Sequence, residues 1–150
     1  MLTDLLTKDM IQVSAQEMDW QEAIKQCATP LLTNGAIEAR YVTAMIAKVE
    51  EFGPFINIGP QIAMPHARPD EGVNHLGMSL LKLDHQVELL DDPKHPVSLF
   101  ICLAAVDNKA HLAALSCLAK LLAKKEIVTQ IMQAKTPAQI AKIIQEGEEK

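Results

Sequence analysis

Two hydrophobic regimes alternate along this chain. Ile11–Ser14 is a short apolar run with the character of a strand. Asp19 then caps a helix, Glu22 stands three residues on as the partner of a capping box, and Asn34-Gly35 ends the helix. Pro30 falls inside that helix and is expected to kink its last turn. A second helix is predicted over Glu38–Glu51. Tyr41, Val42, Met45, Ile46 and Val49 share one face of it, and Gly53-Pro54 stops it.

The middle of the chain changes period. Phe55–Ile58, Gln61–Met64, Gly77–Leu83 and Val97–Leu103 are short apolar blocks separated by Pro, Gly and Asp, the pattern of strands. The last is apolar throughout and suits a central strand buried on both faces. Beyond Asp107-Asn108 the helical period returns, with Leu112, Leu115, Leu118, Ala119 and Leu122 as the expected buried stripe. A short helix follows over Glu126–Ala134. Thr136, Pro137 and Gln139 give an N-cap, first-turn proline and capping box for a last helix to about Gln145, followed by a solvated tail at Glu146–Lys150. The order is not a strict strand–helix alternation. It predicts an α/β fold with a mixed β-sheet flanked by helices on its faces, in one domain over residues 1–150.

Composition narrows the function by exclusion. The chain has 49% hydrophobic and 22% charged residues, and its formal net charge is −5. That is a folded protein rather than a disordered one. Up to residue 75 there are 10 acids and 5 bases; beyond it there are 9 of each, so the excess charge lies in the first half. No basic stripe with interleaved aromatics exists, which argues against nucleic acid as a partner. No apolar stretch is long enough for a membrane span, and the opening MLTDLLTKDM, with Asp4 in it, lacks the apolar segment of a signal peptide. Cys27, Cys102 and Cys117 are an odd set in apolar surroundings, expected to be buried free thiols in a reducing cytoplasm. Met45 and Met64 read as packing residues.

Candidate chemistry concentrates in Ala63-Met64-Pro65-His66-Ala67-Arg68-Pro69-Asp70-Glu71-Gly72. Pro65 and Pro69 restrict the backbone around a histidine at the end of a predicted strand. A rigid imidazole beside a guanidinium suits a nucleophile that accepts a dianionic group. The alternative is a surface histidine in a proline-rich turn. Arg68 draws notice because twelve of the fourteen basic residues are lysines. His111 falls in the first turn of a helix, where the helix dipole favours its neutral form; it is either a second site residue or a capping group. His75, His85 and His95 lie in polar turns, next to Asn74, Asp84 and Lys94, and read as solvated. A metal site from His66, Asp70, Glu71, His75 and His111 matches no familiar ligand spacing. Nucleotide loops of the P-loop and Rossmann types are absent, as are G-x-S-x-G, H-E-x-x-H and C-x-x-C.

Three segments together resemble a known family. They are Glu38–Tyr41, the run Gly53-Pro54…Ala63-Met64-Pro65-His66-x-Arg68-Pro69-x-Glu71-Gly72-Val73, and Ala104-Ala105-Val106-Asp107-x-x-x-His111. In order and spacing the chain resembles the EIIA component of the bacterial phosphoenolpyruvate-dependent sugar phosphotransferase system (PTS). Its mannitol/fructose class fits, with the ascorbate-specific branch closest. The resemblance implies a cytoplasmic phosphotransferase component with a phosphohistidine intermediate and neither cofactor nor metal. His66 takes a phosphoryl group from HPr and passes it to a cysteine of EIIB, which serves a membrane EIIC, without inserting into the membrane itself. His111 corresponds to the second active-site histidine, a stabiliser of the phosphoryl group, and Arg68 to a phosphoryl or partner contact. Ala67 departs from the glycine common in relatives and is expected to restrict the backbone there. The alternatives are mannitol, fructose or galactitol as cargo, and a regulatory EIIA-like module of the nitrogen type. A metal-dependent hydrolase and a pure interaction domain are the rivals outside the family.

Overall fold

A computed structural model describes residues 1–149. The chain runs through helix α1 (Leu2–Leu5), strand β1 (Ile11–Ser14), helices α2 (Trp20–Thr33) and α3 (Ala39–Phe52), and strands β2 (Asn57–Gly59), β3 (Gln61–Ala63), β4 (Gly77–Glu88) and β5 (Pro96–Ala104). Helices α4 (Asn108–Leu122), α5 (Lys125–Gln133) and α6 (Pro137–Glu149) complete it. The strands form one mixed sheet in the order β1-β4-β5-β3-β2. β1/β4 and β3/β5 pair in parallel, β4/β5 and β2/β3 antiparallel. The expected mixed sheet between helical layers is what forms.

Side-chain alternation along β5 builds both cores. Leu99, Ile101 and Leu103 face α1, α4, α5 and α6, while Phe100, Cys102 and Ala104 face α2 and α3. Helices α2 and α3 contribute Ile24, Leu31, Tyr41 and Met45 to one layer, and Leu118, Ile127, Ile140 and Ile144 fill the other. Pro30 removes one helical donor, and α2 nevertheless continues to Thr33. The freed carbonyl of Gln26 accepts instead from the Gln12 Nε2 of β1 at 2.6 Å. Asp19 caps α2 by accepting from the Glu22 N–H at 2.8 Å. Thr136 and Gln139 form the reciprocal box, each side chain accepting from the other's N–H at 3.2 Å.

Four expectations need correction. β4 runs past Leu83 to Glu88, so His85 stands on a strand rather than in a turn, although it is exposed. The buried stripe of α4 is Ala114, Leu118 and Leu121, whereas Leu112 is 63% exposed and Ala119 is exposed too. Spacing fixes a helical period but not which of two apolar edges turns inward. Cys27 and Cys102 are buried, but Cys117 is only half-buried. Finally, Glu146–Glu149 is helix and not tail; Lys150 lies outside the described residues. Gly147 permits this, since a Cβ there would stand 2.7 Å from Leu121 Cδ1 and 3.0 Å from Ile127 Cδ1.

That last helical turn closes the molecule. The Glu148 carboxylate accepts from the Leu2 N–H at 2.7 Å, the Thr3 N–H at 2.9 Å, the Thr3 hydroxyl at 2.8 Å and the Met1 ammonium at 3.2 Å. It therefore caps α1 from the opposite end of the sequence. Partial burial acts to raise the Glu148 pKa, but these donors outweigh it and hold the group at about 2. Glu148→Ala is expected to lower stability by about 1–2 kcal/mol at pH 7, read from urea midpoints. A depressed carboxylate pKa contributes stability fully above its ordinary value and loses it as pH falls through the folded one. The gap between wild type and variant is thus expected to close between pH 4.5 and 2.

Candidate functional site

Two parallel neighbours, β3 and β5, end on the same edge of the sheet. The carboxyl ends of adjacent strands are where an open α/β sheet presents functional groups. Beyond β3 the chain reads Met64-Pro65-His66; beyond β5, Ala105–Asp107 lead into α4, with His111 in its first turn. The Leu103 N–H donates to the Pro65 carbonyl at 3.1 Å, extending the β3/β5 ladder one step past β3. The Met64 N–H donates to Ile56 O at 2.8 Å on the other side. The prolines predict this straight, fixed lead into His66, and the backbone adopts it.

His66 is half-buried. Its Nδ1 lies 2.9 Å from the Met64 carbonyl. A carbonyl only accepts, so Nδ1 carries the proton and Nε2 keeps the lone pair. The His111 ring stands 5.4 Å away, centroid to centroid and tilted by 44°. Phe55 meets His66 edge-on at 5.5 Å, and Phe52 in turn meets Phe55 edge-on at 6.3 Å. Phe52 and Phe55 are exposed and give His66 an apolar border, and Val106 and Leu112, exposed too, lie close to His111 along the chain.

Asp107 caps α4 by accepting from the Ala110 N–H at 2.7 Å. His111 is thereby held in the first turn. Its pKa is lowered from 6.5 by desolvation first and by the His66 charge second. The expected neutral imidazole stands, but loss of water and a neighbouring ring account for it, where the sequence suggested the helix dipole.

After His66 the chain folds into a 3₁₀ turn at Pro69–Glu71. Glu71 accepts from the Arg68 N–H at 3.0 Å, and Lys48 Nζ stands 3.6 Å from the same carboxylate oxygen. Arg68 itself turns to solvent: its side chain is 71% exposed, with Nε 3.6 Å from Asp70 Oδ1. Gly72 closes the turn at φ 132°, and a Cβ there would meet Tyr41 Cβ at 3.0 Å and Tyr41 N at 3.1 Å. Ala67 lies outside the left-handed region, so its Cβ needs no strained backbone.

Residues 4–147 match the family described as phosphoenolpyruvate-dependent sugar phosphotransferase system, EIIA 2. The chain belongs to this family. The mannitol-specific cryptic phosphotransferase enzyme IIA component of Escherichia coli K12 is 36% identical over 146 residues, 97% of this chain and 99% of the relative. The ascorbate-specific PTS system EIIA component of the same strain is 42% identical over 101 residues, 67% of this chain and 66% of the relative. The two are comparably close. Among solved structures, the mannitol-specific cryptic enzyme IIA CmtB from Escherichia coli superposes with a TM-score of 0.89 at 35% identity, covering 97% of this chain and 98% of that one. The enzyme IIA chain in the complex of IIAMtl with phosphorylated IIBMtl from Escherichia coli shares the fold at 20% identity, with a TM-score of 0.81 over 94% of this chain and 97% of that one.

Within this EIIA the remaining histidines stay apart from the pair. His75 and His85 are exposed. His95 is not the freely solvated residue expected; it is half-buried, with Nδ1 3.1 Å from Asn57 Oδ1. Among the described residues no three His, Cys, Asp or Glu side chains converge on a point that could hold a metal ion. Among the described residues no helix is long and apolar enough to cross a membrane. Sequence reading singled out His66 and His111, and the fold brings them together. It did not single out Lys48, Phe55 or the Tyr41 hydroxyl as parts of the same region. Tyr41 was signalled only as a position on an apolar helical face.

Proposed function

We propose that this EIIA is a cytoplasmic phosphocarrier, acting as one domain, in which His66 accepts a phosphoryl group from phospho-HPr and delivers it to an EIIB cysteine. The observation that carries this reading is the His66 Nδ1 contact to Met64 O at 2.9 Å, which leaves Nε2 as the lone-pair nitrogen beside His111. In the first transfer the Nε2 lone pair forms a P–N bond while the donor's P–N bond breaks, its electron pair returning to the donor imidazole. In the second, a cysteine thiolate forms a P–S bond and the electron pair of the broken P–N bond returns to Nε2. Neither step needs a nucleotide or a metal. His111, neutral and 5.4 Å away ring to ring, supplies an N–H to the phosphoryl oxygens. Arg68, exposed and loosely held by Asp70, swings in as a cation toward the phosphoryl group or the partner.

The apolar border of Phe52 and Phe55, with Val106 and Leu112 exposed close to His111 along the chain, supports docking of a protein partner over His66. The IIAMtl relative is described in complex with phosphorylated IIBMtl, which supports an EIIB as that partner here, working with a membrane EIIC. For cargo we favour ascorbate, from the Ala-Met-Pro-His-x-Arg-Pro run and the ascorbate-specific relative. Mannitol is the second reading, favoured by the cryptic relative that matches almost end to end. An EIIA carries the phosphoryl group without touching sugar, so the choice resides in which EIIB it recognises.

Incubation with enzyme I, HPr and phosphoenolpyruvate is expected to give one acid-labile phosphate per chain, mapped to His66. The labelled protein is then offered equal amounts of ascorbate-type, mannitol-type and galactitol-type EIIB. Fastest loss of label to the ascorbate type is expected; preference for another would overturn the cargo and leave the carrier standing. Absence of label would overturn the carrier.

A further inference from the structure

Tyr41 sits in the first turn of α3, with no exposed surface. Its hydroxyl donates to the Leu103 carbonyl at 2.8 Å and accepts from the Ala67 N–H at 3.0 Å. The Ala67 carbonyl, 3.2 Å from the same oxygen, is a longer and competing acceptor for the single phenolic proton. Leu103 also donates its N–H to Pro65 O at 3.1 Å. The peptides on both sides of His66 are thus tied to one residue at the end of β5, on one side directly and on the other through the phenol. Eight positions further on, the same stretch of chain carries His111.

Burial pushes the Tyr41 pKa well up, so the phenol keeps the proton it donates. The packing is close enough to make this anchor stiff. Glu38 N–H donates to Gly72 O at 2.9 Å, and Gly72 lies against Tyr41 itself. The first turn of α3 therefore grips the 67–72 turn at both of its ends.

We propose that the Tyr41 hydroxyl is a positioning residue for phosphoryl transfer at His66, fixing the imidazole's aim relative to His111 without touching the phosphoryl group. The proposal rests on the reading of His66 as acceptor. An ordering effect of this kind acts on the rate of the chemical step, because a misplacement of about 1 Å costs on the order of 100-fold. Docking of the partner, which uses the apolar border, is left alone.

The test is Tyr41→Phe in the full chain, which keeps the ring and removes the hydroxyl. Single-turnover transfer from phospho-HPr is expected to slow by roughly 10–100-fold with the donor's half-saturation concentration unchanged. The ¹⁵N spectrum of the His66 ring is expected to change from one tautomer to an exchanging pair. That second reading needs no phosphoryl donor, so it decides the positioning even if His66 were not the acceptor. Failure of the carrier reading itself shows separately, as absence of label on wild type. A lowered melting temperature with unchanged rate and tautomer would make Tyr41 a purely structural residue and overturn the proposal. Should Tyr41→Phe fail to fold, the single tyrosine of the chain allows site-specific 3-fluorotyrosine labelling of the wild type. Its ¹⁹F resonance is expected to shift on phosphorylation and to stay fixed in His66→Ala. A resonance that does not move on phosphorylation would overturn the proposal.

Discussion

His66→Ala is expected to reduce phosphoryl acceptance to background while leaving the fold intact. The reason for the first is that no other imidazole combines an anchored tautomer with an apolar docking border. His95 is engaged with Asn57, and His75 and His85 are solvated away from the pair. His111 has its neighbouring ring but no bonded carbonyl to fix its lone pair. The reason for the second is local. The only polar partner the His66 ring loses is the carbonyl of Met64, two residues away, so no distant group is stranded. The urea midpoint of the variant is expected to stay within about 1 kcal/mol of wild type. Stoichiometric label on a folded His66→Ala protein would overturn the assignment of the acceptor.

The second large effect is expected at His111. A hydrogen bond to a charged group contributes about 1.5–3 kcal/mol, which is roughly 10–150-fold in rate if it is made mainly in the transition state. His111→Ala is therefore expected to reach full labelling slowly, a fall in rate without a fall in stoichiometry. The pKa of His111 lies below 6.5, because burial and then the His66 charge disfavour its protonated form. Protonation is accordingly disfavoured at neutral pH and above, and the group is expected to act there as a neutral donor. The ratio of wild-type to variant rates is expected to hold over that range and to change only on acidification. Arg68→Ala belongs in the same assay. With a side chain 71% exposed, Arg68 must reorder before it helps, so its loss is expected nearer the low end of that range. Wild-type rates in both variants would remove these two residues from the site.

How much of this was legible depended on range. The sheet and the lead into His66 could be read because proline acts on its own backbone and its neighbour's, within a few residues. β5 could be read because a strand buried on both faces has few alternatives to a continuous apolar run. The buried edge of α4 could not: Leu112 and Ala114 both belong to apolar periodicities, and only packing on the sheet selected Ala114. Tyr41 was placed correctly in a core face, but its hydroxyl reaches residues 26 and 62 positions away. Nothing in local spacing encodes such a partner. The Glu148 contact is the extreme case, spanning 146 positions to Leu2, and a glycine beside it reads locally as a helix end.

That contact has a consequence for how such a unit can be deployed. Helices α1 and α6 enter and leave the fold side by side, joined through one carboxylate. A chain whose entrance and exit coincide can be spliced into a longer polypeptide, or have its two ends linked, without parting β1 from β4. Peptide preceding Met1 would forfeit only the ammonium bond, because the Leu2 and Thr3 amides still reach Glu148. The architecture is thus that of a cassette whose two ends meet on one side of the fold.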